Sequence, residues 1–295
     1  MDGYFLSIAS KLDSIRLQST TGKLDILREL KSCELWRGVF AEFLATMLFV
    51  FIGTMSAVDV VNPVDLSSKF IRIAFTFGLM ITVCIQMIGH VSGGHMNPAV
   101  SIAMAVSMTI SPSRAVLYVV AQSGGAIIGS FILKGVTPST VHSNLGLTLI
   151  NDDISVEQGF ACELIFTFIL VMSIYGCTDS NRPFFGSPAL GIGLTVGCMH
   201  LAGIPFTGAS MNPARSLGSA VISNNFEGHW VYWCGPIVGG ILAALTYKYI
   251  FNPYRKCISY DQATEIMLKD KGMVVIPRDY FRNHEETTNG HSIHL

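Results

Sequence analysis

The sequence predicts an all-α membrane protein with six transmembrane helices and two re-entrant half-helices, arranged as an inverted repeat. Three observations support this fold class. Of the 295 residues, 50% are hydrophobic and only 13% are charged, and the mean hydropathy is +0.49. Six apolar segments are long enough, or nearly long enough, to cross a bilayer. Several short motifs also occur twice, in the same order in both halves of the chain.

The composition also excludes other classes of protein. Disorder requires low hydrophobicity and high net charge, and neither is present. With a net charge of −1 and no dense basic run, a nucleic-acid-binding protein is disfavoured. An ordinary soluble enzyme is disfavoured too, because one soluble core does not bury this much apolar surface. A polytopic membrane protein remains.

Each of the six apolar segments approaches the roughly 20 residues that a membrane-spanning helix needs. The fifth is the shortest and is rich in glycine. The predicted spans are 38–58, 70–89, 114–134, 158–177, 188–204 and 230–251.

Two further apolar stretches, Pro98 to Ser107 and Pro213 to Ile222, are too short to be spans. A helix of about ten residues covers only about half of the hydrocarbon core. Non-helical backbone at that depth is tolerated only where protein buries it or where it lines a watery cavity. The two stretches therefore predict re-entrant half-helices beside a cavity.

The repeats explain how the two halves fit together. Each half has three predicted spans, so the second half must enter the membrane in the opposite orientation, as in many transport proteins. The matching segments are 42–46 with 163–167, 96–99 with 211–214, and 124–129 with 235–240.

Six spans place both chain ends on one side of the membrane. Loops 59–69 and 135–157 are poor in Lys and Arg, whereas the opposite connections and both ends carry more of them. The positive-inside rule therefore predicts cytoplasmic termini. We expect a cytoplasmic segment at 1–36, a membrane domain at 37–252 with repeats at 37–135 and 157–252, and a cytoplasmic tail at 253–295.

The repeated motifs resemble those of the aquaporins, in the major intrinsic protein family. They are AEFL at 41–44, GHVSGGHMNPAV at 89–100 and TGASMNPARS at 207–216. The resemblance covers roughly residues 36 to 252. It implies a pore with two Asn-Pro-Ala motifs, formed by Asn97, Pro98, Ala99, Asn212, Pro213 and Ala214.

The resemblance also implies an outer constriction and a set of pore-lining carbonyls. The constriction would combine one apolar wall with two polar donors, and Ser216 stands where the glycerol-conducting branch usually has Asp. This set resembles that of the water-selective branch. The implied constriction residues are Phe77, His200, Ala209 and Arg215. The implied carbonyls belong to Gly93, Gly94, His95, Met96, Gly208, Ala209, Ser210 and Met211.

Four further polar residues have alternative interpretations. Glu42 and Glu163 are acids inside apolar spans, which is typical of proton relays and ion sites. Their equivalent places in the two repeats favour a scaffold role instead, in which each carboxylate accepts N–H groups of a re-entrant loop. His90 and His95 have a spacing that suits a metal, but loop-anchoring and pore-lining roles are favoured.

The leading functional hypothesis is a passive water channel that excludes ions and protons. The alternatives are a channel for glycerol, urea or peroxide, and a junctional or structural membrane protein with little transport. A gated ion channel is more remote, and an enzyme is the least favoured class. We expect no catalytic residues, cofactor or metal. The expected partners are the lipid bilayer and, by resemblance, three further copies in a homotetramer, and the expected location is the plasma membrane.

Overall fold

A computed structural model describes residues 26–60, 65–142, 145–179 and 186–251. Helices dominate this part of the chain, with a 3₁₀ turn at Ser139–Val141 and a π-helical turn at Tyr247–Phe251. The predicted tail at 253–295 and most of the predicted segment at 1–36 lie outside the described residues. The α-helices are α1 (Ile26–Leu30), α2 (Cys33–Met55), α3 (Leu66–Ser92), α4 (Pro98–Val106), α5 (Pro112–Val136), α6 (Val156–Thr178), α7 (Pro188–Thr207), α8 (Pro213–Ser223) and α9 (Val231–Thr246).

The six predicted spans are confirmed as α2, α3, α5, α6, α7, and α9 with the π-helical turn that follows it. All six are long and apolar enough to cross a membrane. The largest boundary difference is at α2, which begins at Cys33 instead of residue 38. Ser32 caps this helix by accepting a hydrogen bond from the Glu34 N–H, so it starts before the apolar run. Hydropathy identifies the part in lipid, whereas capping determines where the helix begins.

The two predicted half-helices are α4 and α8, and their bounds agree with the prediction to within one residue. Each begins with an Asn N-cap followed by Pro, whose missing N–H and fixed φ suit the first turn. The spans before them, α3 and α7, are followed by the C-cap residues Gly93 and Gly208, which have φ values of 93° and 76°. Glycine permits this left-handed conformation.

The helices pack as two equivalent sets. In repeat one, α2 packs against α5, and in repeat two, α6 packs against α9. A Cβ atom at Gly125 would collide with the Phe43 carbonyl, and one at Gly239 with the Leu164 carbonyl. These glycines therefore allow the same close helix crossing in each repeat.

The half-helices connect the two repeats. Half-helix α4 packs against α9, and half-helix α8 packs against α5, so each lies against the last span of the other repeat. The spans expose many large apolar side chains, including Phe40, Val120 and Leu194. Such a surface suits lipid or a partner protein rather than water. The polar groups that concern function are instead buried around the starts of α4 and α8.

Candidate functional site

The two Asn-Pro-Ala motifs contact each other through their asparagines. The Asn97 Oδ1 accepts a 2.9 Å hydrogen bond from the Ala99 N–H, and the Asn212 Oδ1 accepts one of 3.1 Å from the Ala214 N–H. Each amide nitrogen then donates across the repeat boundary, at 2.8 Å to the Met211 carbonyl from Asn97 and at 2.8 Å to the Met96 carbonyl from Asn212. One N–H of each amide is left for another acceptor.

The reciprocal bonds between the motifs add to what the sequence suggests. Met96 and Met211 are predicted to offer carbonyls to the pore, and the structure uses each of them as the acceptor for the opposite asparagine. A carbonyl oxygen has a second lone pair, so each can still accept a further bond. The same carbonyls therefore hold the two loops together.

Glu42 organises the first re-entrant loop. Its carboxylate accepts hydrogen bonds from the N–H groups of His95 at 2.9 Å and Met96 at 2.6 Å. The side chains of Ser92 and Gln122 donate to it as well, at 2.6 Å and 2.8 Å. Glu42 is fully buried, and these four donors all belong to repeat one, two of them to the backbone of the loop, which is the geometry of a scaffold.

Glu163 has the same arrangement in the second repeat. It accepts from the N–H groups of Ser210 at 2.9 Å and Met211 at 2.7 Å, and from the Thr207 hydroxyl at 2.7 Å. Charge-assisted bonds of this kind are among the stronger hydrogen bonds in proteins. Both loops are therefore fixed by a carboxylate from the first span of their own repeat.

Two tyrosines support the same loops and are not identified by the motifs. The Tyr118 hydroxyl donates to the Ser92 carbonyl at 3.1 Å, and the Tyr232 hydroxyl donates to the Thr207 carbonyl at 2.9 Å. The two tyrosines occupy equivalent places in α5 and α9. A search of the sequence for equivalent polar residues in the two repeats could have found them.

The backbone of the predicted carbonyl ladder repeats residue by residue. Gly93, Gly94 and Met96 have φ values of 93°, 67° and 49°. Gly208, Ala209 and Met211 have φ values of 76°, 50° and 54°. Positive φ at Met96, Ala209 and Met211 is unfavourable for residues with a Cβ, and such conformations concentrate at functional sites.

The four residues of the predicted constriction lie together. The Phe77 and His200 rings stack at a centroid distance of 4.6 Å, and the Arg215 guanidinium carbon lies 5.2 Å from the Phe77 centroid. Ala209, Phe77, His200 and Arg215 are each at most 3% exposed. Residues from α3, α7 and α8 therefore form one narrow, buried cluster, and Ala209 of the second loop belongs to the same apolar core as Phe77.

The histidine of this cluster corrects the sequence interpretation, which treats it as a donor. The His200 Nδ1 lies 2.9 Å from the Val196 carbonyl, and a carbonyl can only accept, so Nδ1 carries the hydrogen. In the neutral imidazole Nε2 is then an acceptor. Nε2 has no protein partner in the described part of the chain.

Arg215 is held by a contact that sequence reasoning missed. Its Nη1 donates to the Gly146 carbonyl at 2.6 Å and to the Ser219 hydroxyl at 3.4 Å. Gly146 lies in the connection between the repeats, where no repeated motif marks it. The Arg215 Nε has no hydrogen-bond partner among the described residues. The cluster thus contains one acceptor and one donor that the described protein leaves unpaired.

The histidines near the first motif are separated. His90 is exposed, whereas the His95 Nδ1 lies 3.0 Å from the Ser101 hydroxyl and its ring packs edge-on against Tyr118. Across the described residues, no three His, Cys, Asp or Glu side chains are grouped as a metal site would require. His95 therefore belongs to the packing of the first loop.

Comparisons with known proteins agree with this architecture. The family model of the major intrinsic protein matches residues 29–247. Aquaporin-4 of Mus musculus is 46% identical over 222 residues, which cover 74% of this chain and 68% of that protein. Aquaporin-5 of Homo sapiens is 48% identical over 228 residues, or 77% of this chain and 85% of that protein. The X-ray structure of the aquaglyceroporin from Plasmodium falciparum aligns with a TM-score of 0.67 at 26% identity, over 74% of this chain and 98% of that one.

Proposed function

Since this chain belongs to the major intrinsic protein family, we propose that it is a passive water channel, driven by osmotic gradients, that excludes ions and protons. The observation that best supports this proposal is the geometry of the constriction. The Phe77 ring stacks on His200 at 4.6 Å and lies 5.2 Å from the Arg215 guanidinium carbon, which leaves little room between them. A solute with a carbon backbone needs a wider opening beside an apolar wall.

The unpaired groups of the constriction match water. We assign the His200 Nε2 as an acceptor and the Arg215 Nε as a donor for the permeating molecule, because both lack a partner in the described protein. A water molecule donates and accepts at once, so it can satisfy both. Glycerol could make the same bonds only if its carbons had space beside Phe77.

Cations and protons face a different barrier. The N-termini of α4 and α8 meet at the asparagine motifs, and each carries about half a positive charge from the helix dipole. The free N–H of each asparagine amide makes a passing water act as an acceptor there, so its hydrogens point away along the file. The fixed charge of Arg215 adds to this barrier, and an ion would also lose hydration.

The assembly and setting belong to the same proposal. We assign the channel to residues 37–252, with repeats at 37–135 and 157–252, in a homotetramer of four separate pores. The reciprocal asparagine bonds support a pore within each chain, because they join the two repeats of one subunit. The Lys and Arg distribution supports cytoplasmic termini, with the segment at 1–36 and the tail at 253–295 on that side, and we place the channel in the plasma membrane.

The test is paired measurement of water and glycerol permeability in proteoliposomes that carry the unmodified protein. We expect water flux well above protein-free vesicles and glycerol flux close to them. Substantial glycerol flux would favour the alternative channel for small neutral solutes. Absence of water flux from folded protein would favour a structural role.

A variant of the constriction makes this test sharper. His200→Ala removes the ring that stacks on Phe77, so glycerol permeability should rise by about tenfold while water flux persists. Cys198→Ala is a matched control, because Cys198 is an exposed residue of the same helix and lies in a groove formed with α3. If both variants behave like the unmodified protein, the constriction lies elsewhere.

A further inference from the structure

Two lysines bind the C-terminal ends of the half-helices. The Lys248 Nζ donates to the Ser107 carbonyl at 2.9 Å, at the end of α4. The Lys134 Nζ donates to the Ile222 carbonyl at 3.3 Å, in the last turn of α8. Both lysines are half-buried. The ion pairs found in the described residues use Lys69, Arg72 and Arg114 instead.

The two contacts are related by the internal repeat. Lys134 and Lys248 are separated by the same number of residues as Tyr118 and Tyr232, which occupy equivalent places in α5 and α9. Their acceptors, Ser107 and Ile222, are separated by the same number of residues as the two motif asparagines. The same lysine-to-carbonyl contact is therefore built twice, once in each half.

Each lysine reaches the half-helix of the opposite repeat. Lys134 lies on α5 of repeat one and binds α8 of repeat two, while Lys248 follows α9 of repeat two and binds α4 of repeat one. Because α5 and α9 end on opposite membrane faces, one contact lies at each face. The arrangement also accounts for Lys134, which lies on the membrane face that, by the positive-inside rule, has few basic residues.

The chemistry of a helix end suits these contacts. The last carbonyls of a helix have no partner within the helix, and they carry about half a negative charge. A lysine ammonium satisfies one carbonyl and opposes that charge. The N-terminal ends are already joined by the Asn97 and Asn212 amides. Each half-helix is thus held at both ends.

We propose that Lys134 and Lys248 are positioning residues that fix the half-helices of the opposite repeats and thereby set the geometry of the pore. The effects of the two lysines on permeability rest on the proposed water channel, whereas their effect on the stability of the half-helices does not. The two lysines have unequal consequences. Half-helix α8 carries Arg215 in its first turn, so Lys134 acts on the constriction. Half-helix α4 carries no constriction residue, so Lys248 acts on the Asn97 motif alone.

The mechanical test is amide hydrogen exchange of the full-length protein in detergent. Lys248→Met should speed exchange in residues 98–106 by about tenfold, and Lys134→Met should do so in 213–223, as loss of one hydrogen bond to a charged group predicts. Lys→Arg at either position should restore protection. Lys69→Met is the control, because Lys69 is also half-buried but binds Asp59 at 2.6 Å, away from both half-helices.

The transport test uses the same variants in proteoliposomes, with permeability expressed per folded channel. Lys248→Met should lower water permeability by about threefold, because small displacements of a positioned group are costly. Lys134→Met should do the same and should also raise the glycerol-to-water permeability ratio. A merely structural role would change the amount of folded protein and leave that ratio constant.

The two tests fail in distinguishable ways. Faster exchange in the half-helix of the lysine's own repeat, or no change in exchange, would overturn the positioning role whatever the transport result. Faster exchange in the half-helix of the opposite repeat, with water permeability per channel unchanged, would overturn the claim that the lysines control the geometry of the pore. If the unmodified protein conducts no water, the proposed function fails. Faster exchange in the opposite half-helix of the Lys→Met variants, reversed in the Lys→Arg variants, would still support the mechanical contact.

Discussion

The two re-entrant loops, residues 93–106 and 208–223, are alike in the groups that hold them and different at the positions that we propose face a permeating molecule. Both are bound by a buried glutamate, both are supported by a tyrosine, and both begin a helix with Asn-Pro-Ala. The shared groups hydrogen-bond to the backbone. The two copies of this scaffold can therefore bring the N-terminal ends of α4 and α8 together in the middle of the membrane domain.

The differences lie on the same framework. Arg215 of the second loop corresponds to Val100 of the first, and Ala209 corresponds to Gly94. Val100 packs in an apolar cluster with Ala243 and Ala244, whereas Arg215 is held by the Gly146 carbonyl beside Phe77. The symmetric residues therefore hold the two loops in place, whereas the only loop residues of the proposed constriction, Ala209 and Arg215, belong to the second loop.

The largest expected effect comes from breaking the symmetric scaffold. Glu42→Ala and Glu163→Ala should each lower the free energy of unfolding by at least about 3 kcal/mol, since three or more buried donors lose their acceptor. Thermal unfolding of the detergent-solubilised protein measures this loss. Glu227→Ala, a change at an exposed acid, should have no comparable effect.

This pair of variants also tests the symmetry itself. The two losses should agree to within about 1 kcal/mol, because the donor sets are equivalent except for Gln122, which serves Glu42 alone. A stable Glu163→Ala protein beside an unfolded Glu42→Ala protein would show that the loops depend on different supports.

The next effect comes from making the second loop like the first. Arg215→Val copies Val100 and removes the only charge of the predicted constriction. Two unit charges about 5 Å apart at an effective permittivity of about 20 repel by about 3 kcal/mol, so cation or proton leak should rise at least tenfold. Ion flux into proteoliposomes measures this, with water flux retained.

Arg72→Val is the matched control for this variant. Arg72, in the second turn of α3, pairs with Asp59 at 2.5 Å and is not one of the constriction residues, so its loss should leave ion exclusion unchanged. Equal leak from both variants would mean that net charge, and not the position of Arg215, controls the barrier.

The sequence predicts the symmetric part of the molecule well. Segment lengths measured against the bilayer identify the spans and half-helices, because the hydrocarbon thickness allows few alternatives. Repetition then locates Glu42, Glu163, Asn97 and Asn212, since each lies in a motif that occurs once in each half of the chain. Tyr118 and Tyr232 were open to the same reasoning but lack a motif around them.

The asymmetric part is much harder to predict. The hydrogen bond from Arg215 to the Gly146 carbonyl joins residues far apart in the chain and has no counterpart in the other repeat. The donor or acceptor role of His200 depends on which ring nitrogen bonds the Val196 carbonyl, which is a matter of geometry. Contacts that occur once leave no pattern in the sequence.

A smaller effect separates backbone conformation from packing at the Gly94 and Ala209 positions. Gly94→Ala should cost about 1 kcal/mol, because φ is 67° there while the added Cβ would make only ordinary contacts. Ala209→Gly should change stability by less than about 0.5 kcal/mol, since relief of its positive φ is offset by the lost buried methyl and by a more flexible unfolded chain. Chemical unfolding in mixed micelles compares the two. Equal and opposite effects would contradict this account.

The smallest effect concerns the last spans of the two repeats, which begin differently. Helix α5 begins at a Ser111 cap, and the carboxylate of Glu29 accepts hydrogen bonds from Ser111 at 2.6 Å and from Ser113, beside Arg114 at 3.4 Å. Helix α9 begins at Val231, after Trp230, whose side chain makes no capping hydrogen bond. Burial alone would raise the pKa of Glu29, but the serine hydroxyls and the Arg114 guanidinium outweigh it and lower that pKa from its ordinary 4.5.

A depressed folded-state pKa stabilises the protein above the unfolded value, and this stability is lost as the pH falls through the folded value. Glu29→Gln should therefore lower the thermal midpoint slightly at pH 7, consistent with a partly exposed ion pair worth about 0–1 kcal/mol. The difference between the two proteins should start to shrink as the pH falls below 4.5, the ordinary pKa of Glu29, and should vanish only once the pH is below the lower folded-state pKa, where the carboxyl is neutral in both states. Thermal scans in detergent at pH 7 and at a series of acidic pH values measure it. A difference that is constant with pH would show that Glu29 acts through packing, and the charged cap would then not distinguish α5 from α9.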